Sequence, residues 1–91
     1  MTQPTIDEIR DQIAEWEGRE IPYTLDEAAK LPEGWLCWIS NPPTNCEGWW
    51  IASARHASHD VGDNITESAP TEIEARFRLR HAAMKAERGI A

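Results

Sequence analysis

The sequence predicts an α+β fold: a small α/β/α-like sandwich, in which a Trp-rich antiparallel β-hairpin of two to three strands is covered by an N-terminal and a C-terminal helix. The stretch Trp35–His56 holds four of the five tryptophans, in two segments with the composition of strands. The segments on either side begin with helix-capping motifs and continue with apolar residues at helical spacing. With 91 residues, we expect a single domain, 1–91.

The first helix is predicted to begin after Thr5. Thr5–Glu8 is a capping box, in which the threonine hydroxyl and the glutamate side chain satisfy the first backbone amides. Gly18 suits the left-handed residue that follows a helix. One stripe of the helix is apolar, at spacings of three and four: Ile6, Ile9, Ile13 and Trp16.

A shorter helix of about two turns is predicted next. Residues 19–23 form a connector, which could also be a short edge strand because Pro22 is tolerated there. Thr24–Glu27 repeats the capping pattern, and Pro32 stops the helix.

The hairpin is predicted to consist of Trp35–Ser40 and Trp49–Arg55, joined by a loop that two prolines stiffen. Pairing Ser40 with Gly48 brings Trp38 opposite Trp50 and makes both faces apolar. A strand in a sheet with one solvent-exposed face alternates apolar and polar residues. We therefore expect both faces to be covered, by helices or by a second copy of the chain.

Residues 57–69 are polar and irregular, and we expect a loop there. Thr71–Glu74 is a third capping box, and Gly89 is a plausible end of the last helix. This helix carries two apolar stripes, which indicates that it packs against the sheet and against another element or another protomer. The stripes are Ile73, Phe77 and Met84, and Ala75, Leu79, Ala82 and Ala86.

The chain has a net charge of −7, which disfavours direct nucleic-acid binding because an acidic surface repels phosphate. No apolar run is long enough for a membrane span, and no signal-peptide pattern is present. We expect a cytoplasmic protein with reduced cysteines. A Cys37–Cys46 disulfide remains conceivable across the hairpin.

One group of side chains has the identities of metal ligands: Cys37, Cys46, His56 and His59. Zinc fingers place their cysteines two to four residues apart, whereas eight residues separate these two. The residues around His56–Asp60 include catalytic residue types, but no oxyanion-hole or nucleophile motif accompanies them. We expect no enzymatic activity and no cofactor, and a zinc site remains the alternative.

Two surfaces are predicted to bind a partner. Tryptophans are common interface anchors, and a loop stiffened by proline loses little entropy on binding. The acidic side of the first helix suits a basic partner, although a solvated helix face is the plainer interpretation. The candidate residues are Trp35, Pro42, Pro43, Trp49 and Trp50 in the hairpin, and Asp7, Asp11 and Glu15 in the helix.

The tryptophan-punctuated strand pair, Trp35–Ile39 and Trp49–Ala54, is followed by a loop and a closing helix with the segments Ala69–Ala75 and Ala82–Ala86. This layout resembles the small phage-encoded proteins that have a phage α/β/α sandwich domain. The acidic N-terminal half and the loop at 41–48 depart from that pattern. The resemblance implies a phage source and brings no activity or catalytic residue with it.

Together these observations predict a non-enzymatic phage accessory protein that acts by protein–protein binding. Its most specific form is an inhibitor of a host factor, such as a defence system or a nucleic-acid-binding protein. A homodimer would enlarge the small sheet. The alternatives are a small zinc-binding domain and a virion or replication accessory protein.

Overall fold

We describe the protein from a computed structural model that covers residues 4–40, 49–57 and 64–89. Three helices and a three-stranded antiparallel sheet of order β1-β2-β3 confirm the α+β class. In chain order the elements are α1 (Ile6–Glu17), α2 (Leu25–Ala28), β1 (Trp35–Ser40), β2 (Trp50–His56), β3 (Ile65–Ala69) and α3 (Glu72–Glu87).

Threonine side chains start all three helices, as the capping motifs predict. Thr5, Thr24 and Thr71 each accept a hydrogen bond from the backbone amide three residues later. Gly18 ends α1 in the left-handed conformation, with φ of 69°.

Helix α3 is the central layer of the molecule. One side packs on β2 and β3, where Leu79 and three alanines lie against small sheet residues. Its other side packs on α1 and α2 through Phe77 and Met84. The two predicted stripes of α3 therefore face two different layers, and α1 and α2 are separated from the sheet by α3. The sequence predicts one long helix on each face of the sheet, whereas α1 and α3 both lie on the same side of it.

The strand register differs from the prediction. Trp38 pairs with Ser53 rather than Trp50. The strand β2 is thus displaced along β1 by an odd number of residues, and each side chain of β2 lies on the opposite face of the sheet from the one predicted. Ala52 and Ala54 then face α3, where small side chains allow the helix to approach closely. Packing against α3 thus sets the register, which strand composition alone does not.

The third strand lies at Ile65–Ala69, within the segment expected to be a loop, and not in the connector at 19–23. It pairs with β2 from Ile65 opposite Ala54 to Ala69 opposite Trp50. Glu67 lies between Ile65 and Ala69 on the α3 side, and this charge hides the alternation that a strand normally shows.

Candidate functional site

The sheet face that points away from α3 is the first candidate surface. Leu36 and Trp38 stand next to each other on β1, with 51% and 50% of their surface exposed. Strand alternation and the register define this open face. It consists of Leu36, Trp38, Ser40, Ile51, Ser53, Arg55, Thr66 and Ser68.

The open face is uncharged apart from Arg55, although the chain has sixteen acidic residues. Its centre is ordered by the side-chain hydrogen bond between Ser53 Oγ and Thr66 Oγ1, at 3.2 Å. A large exposed tryptophan on a rigid, neutral sheet is the usual composition of a protein-binding surface.

The tryptophans proposed as binding residues are more buried than Trp38. Trp35 is only 8% exposed, where its ring packs edge-on against His56 and its Nε1 donates to Glu87 on α3 at 3.3 Å. Trp49 and Trp50 are partly buried, and Trp50 packs against the sheet–α3 core. Pro42 and Pro43 lie outside the described residues. Trp38 is not among the predicted binding residues, because the predicted register places it opposite Trp50 and not opposite Ser53.

The acidic side of α1 is the second candidate surface. Asp7, Asp11 and Glu15 are all exposed, as the sequence predicts. Asp7 makes an ion pair with Arg10 at 3.6 Å, and Glu15 accepts a hydrogen bond from Gln12 at 3.5 Å. Asp11 and Glu15 also border a depression of about 390 Å³ between α1 and α3, together with Pro4, Glu8, Gln12 and His81.

His81 forms the α3 side of this depression. Its ring stacks on Trp16 with centroids 5.4 Å apart, and its buried Nε2 has no hydrogen-bond partner among the described residues. Burial lowers the pKa of His81, and the charges of Lys85 and Arg78 lower it further. These effects all favour the neutral imidazole.

A network of charged side chains joins the three helices around Arg80, which precedes His81 in α3. Arg80 is 2% exposed and donates to Glu17 Oε2 at 2.5 Å and to the Glu27 carbonyl oxygen at 2.6 Å. Glu27 also pairs with Arg19 and, at 3.1 Å, with Lys30. These hydrogen bonds, led by the one from Arg19, lower the pKa of Glu27 to about 2. The network borders a cavity of about 530 Å³, but its charges are already paired and serve to hold the helices together.

The four candidate metal ligands are only partly described. Cys37 is exposed on β1, and His56 lies at the end of β2 against Trp35. Cys46 and His59 lie outside the described residues. Within 4–40, 49–57 and 64–89, no three histidine, cysteine or acidic side chains form a group that could hold a metal ion. The zinc hypothesis stays a prediction.

No protein-family model, curated protein or solved structure matches this chain. Among the described residues, none of the helices is both long enough and apolar enough to cross a membrane. The open face and the acidic side of α1 are therefore the features that indicate a function.

Proposed function

We propose that this protein has no enzymatic activity and acts by binding another protein through the open face. The observation that carries the proposal is the half-exposed pair Leu36 and Trp38 on a sheet face without an acidic side chain. Tryptophan side chains that become buried at an interface often contribute 2 kcal/mol or more to binding. The strand holds both side chains in place, so little order has to be gained on binding.

The acidic side of α1 supplies a second contact for a basic partner. Asp11 and Glu15 border a depression, and a lysine or arginine of a partner fits its size and charge. This charge suits a host protein that itself binds nucleic acid. With the resemblance to phage-encoded domains, the most specific form of the proposal is a phage accessory protein that inhibits such a host factor in the cytoplasm.

The test is capture of a partner by the tagged protein from a bacterial host lysate, with matched variants. Leu36→Ser and Trp38→Ser should each reduce capture by roughly tenfold or more. Leu25→Ser is the control, because Leu25 on α2 is 46% exposed but lies off the open face. Loss of capture with Leu25→Ser as well, or retention with Trp38→Ser, would refute the assignment of the open face.

The acidic surface is tested separately by Asp11→Lys with Glu15→Lys. The control is Glu20→Lys with Asp26→Lys, which reverses two exposed charges outside α1. We expect weaker capture and a weaker salt dependence only for the α1 variant, since the lost contacts are electrostatic. Equal effects of the two variants would show that total charge, and not this surface, governs binding.

A further inference from the structure

The two edges of the sheet are built differently. The β3 edge has five residues, is followed by Pro70, and carries Glu67 at its centre pointing toward α3. An inward-pointing charge on a short edge strand is a common device against the addition of another strand. The β3 edge is therefore protected.

The β1 edge has none of these devices. Its sequence, Trp-Leu-Cys-Trp-Ile-Ser, contains no charge and no proline, and Leu36, Cys37 and Trp38 are exposed. Among the described residues, β1 pairs with β2 on one side and with no strand on the other. An uncharged, exposed edge of this kind is a template for pairing with another strand.

We propose that β1 pairs with β1 of a second copy of this chain, antiparallel about a two-fold axis, to form a six-stranded sheet. Two-fold symmetry requires one residue of β1 to lie opposite its own copy. Only registers centred on Cys37 or Trp38 keep nearly the whole strand paired. In either register the two open faces join on one side of the sheet, and the two Trp38 side chains become neighbours.

The charge distribution favours a second copy as the occupant. Each chain carries a charge of −7, so two copies repel unless they meet where acidic side chains are absent. No acidic residue belongs to β1 or to the open face. Helix α1, which carries Asp7, Asp11 and Glu15, lies beyond α3 and away from the β1 edge. The joined sheet would have six strands, within the usual range of about four to six, against the three that are described in one chain.

The first test is the mass of the full-length protein alone at micromolar concentration, measured by native mass spectrometry and light scattering. We expect twice the 10.3 kDa of one chain. Cys37→Lys or Trp38→Lys places like charges opposite each other and should raise the dissociation constant roughly tenfold or more. A monomeric wild-type protein, or a dimer that neither substitution weakens, would overturn the proposal.

Cysteine cross-linking locates the contact independently of these charged variants. Cys46→Ser leaves Cys37 as the only cysteine, and air oxidation with copper phenanthroline should link two chains if Cys37 lies opposite its copy. Trp38→Cys, in a background without Cys37 and Cys46, reports the other register. Leu25→Cys in that background is the control and should remain unlinked. Equal linking at Leu25 and at both β1 positions would overturn the proposal.

This dimer is independent of the partner proposed above, because it is measured in the purified chain. A monomer that loses a captured host protein on Cys37→Lys, whose side chain lies off the open face, would exclude the second copy and identify a foreign strand at the β1 edge as the occupant. A dimer that captures no host protein would support the β1 pairing and refute the proposed function.

Discussion

Replacing Glu27 with glutamine should destabilise the fold by about 2 kcal/mol at pH 7, and this cost should disappear in acid. Glu27 is almost fully buried and accepts from Arg80, Arg19 and Lys30. Glutamine has nearly the same shape, but it removes the negative charge and replaces one accepting oxygen by an NH2 group. Arg80 keeps its hydrogen bonds to Glu17 and to the carbonyl of residue 27.

The magnitude follows from the pKa of Glu27, which falls from 4.5 to about 2 on folding. At ~1.4 kcal/mol for each pKa unit, this shift corresponds to about 3 kcal/mol of stability. Arg19 and Lys30 are partly exposed, and screening by water reduces the figure to about 2 kcal/mol. A loss of this size lowers the Tm of a domain of 60 to 100 residues by roughly 8–16 °C.

The sign of the pH dependence is fixed by the direction of the shift. Because folding lowers the pKa of Glu27, its contribution is complete above pH 4.5 and is lost as the pH falls toward 2. Urea unfolding of the wild type and of Glu27→Gln, measured from pH 7 to pH 2.5, should give two stability curves that converge in acid. A difference below about 0.5 kcal/mol at pH 7, or one that does not shrink in acid, would refute this reasoning.

Three further predictions concern stability. Gly34→Ala should lower the free energy of unfolding in urea by more than about 1 kcal/mol, because φ is 93° and the new Cβ would lie 2.6 Å from His56 Nε2. Gly18→Ala is the control and should lower it less, since φ is 69° but nothing lies within 4 Å of the new Cβ. Phe77→Ala should cost about 3–5 kcal/mol, since Phe77 is fully buried between α3 and the N-terminal helices, and a cost near 1 kcal/mol would contradict that packing. His81→Phe should reduce the fall in stability that we expect for the wild type as the pH drops below 6.5. Burial lowers the pKa of His81 in the folded state, so protonating the imidazole in acid costs stability; an unchanged pH profile would argue against the buried imidazole.

The sequence allowed the α+β class, the three threonine N-caps and the two stripes of α3 to be predicted, because each depends on local spacing. Capping requires residues three apart, and a helix stripe repeats every turn. The packing of Phe77 on one side of α3 and Leu79 on the other follows directly from that periodicity.

The register, β3 and the open face could not be predicted, because tertiary packing decides them. Ala52 and Ala54 look unremarkable in the sequence, and only the approach of α3 selects them as the buried face of β2. Glu67 interrupts the apolar alternation of β3. A charged side chain is tolerated there because Arg78 and Lys85 of α3 line the same depression. Burial raises the pKa of Glu67, and those two cations oppose the shift.

The charged network around Arg80 could not be predicted for the same reason. Glu17, Glu27 and Arg80 each belong to segments with many charges, and nothing in the local sequence distinguishes them from solvated residues. They meet only because α3 packs against the N-terminal helices. Arg80 is separated in the sequence from Glu27 by 53 residues and from Glu17 by 63 residues. Ion pairs between such distant segments are invisible to analysis by local pattern.

The central position of α3 also determines when the chain folds during synthesis. Helices α1 and α2 leave the ribosome before α3, but the apolar sides of both pack on α3. The sheet likewise waits for α3 to cover Ala52, Ala54 and Ala69. Both hydrophobic clusters of the described residues include side chains of α3, so we expect one cooperative folding step after α3 has been translated.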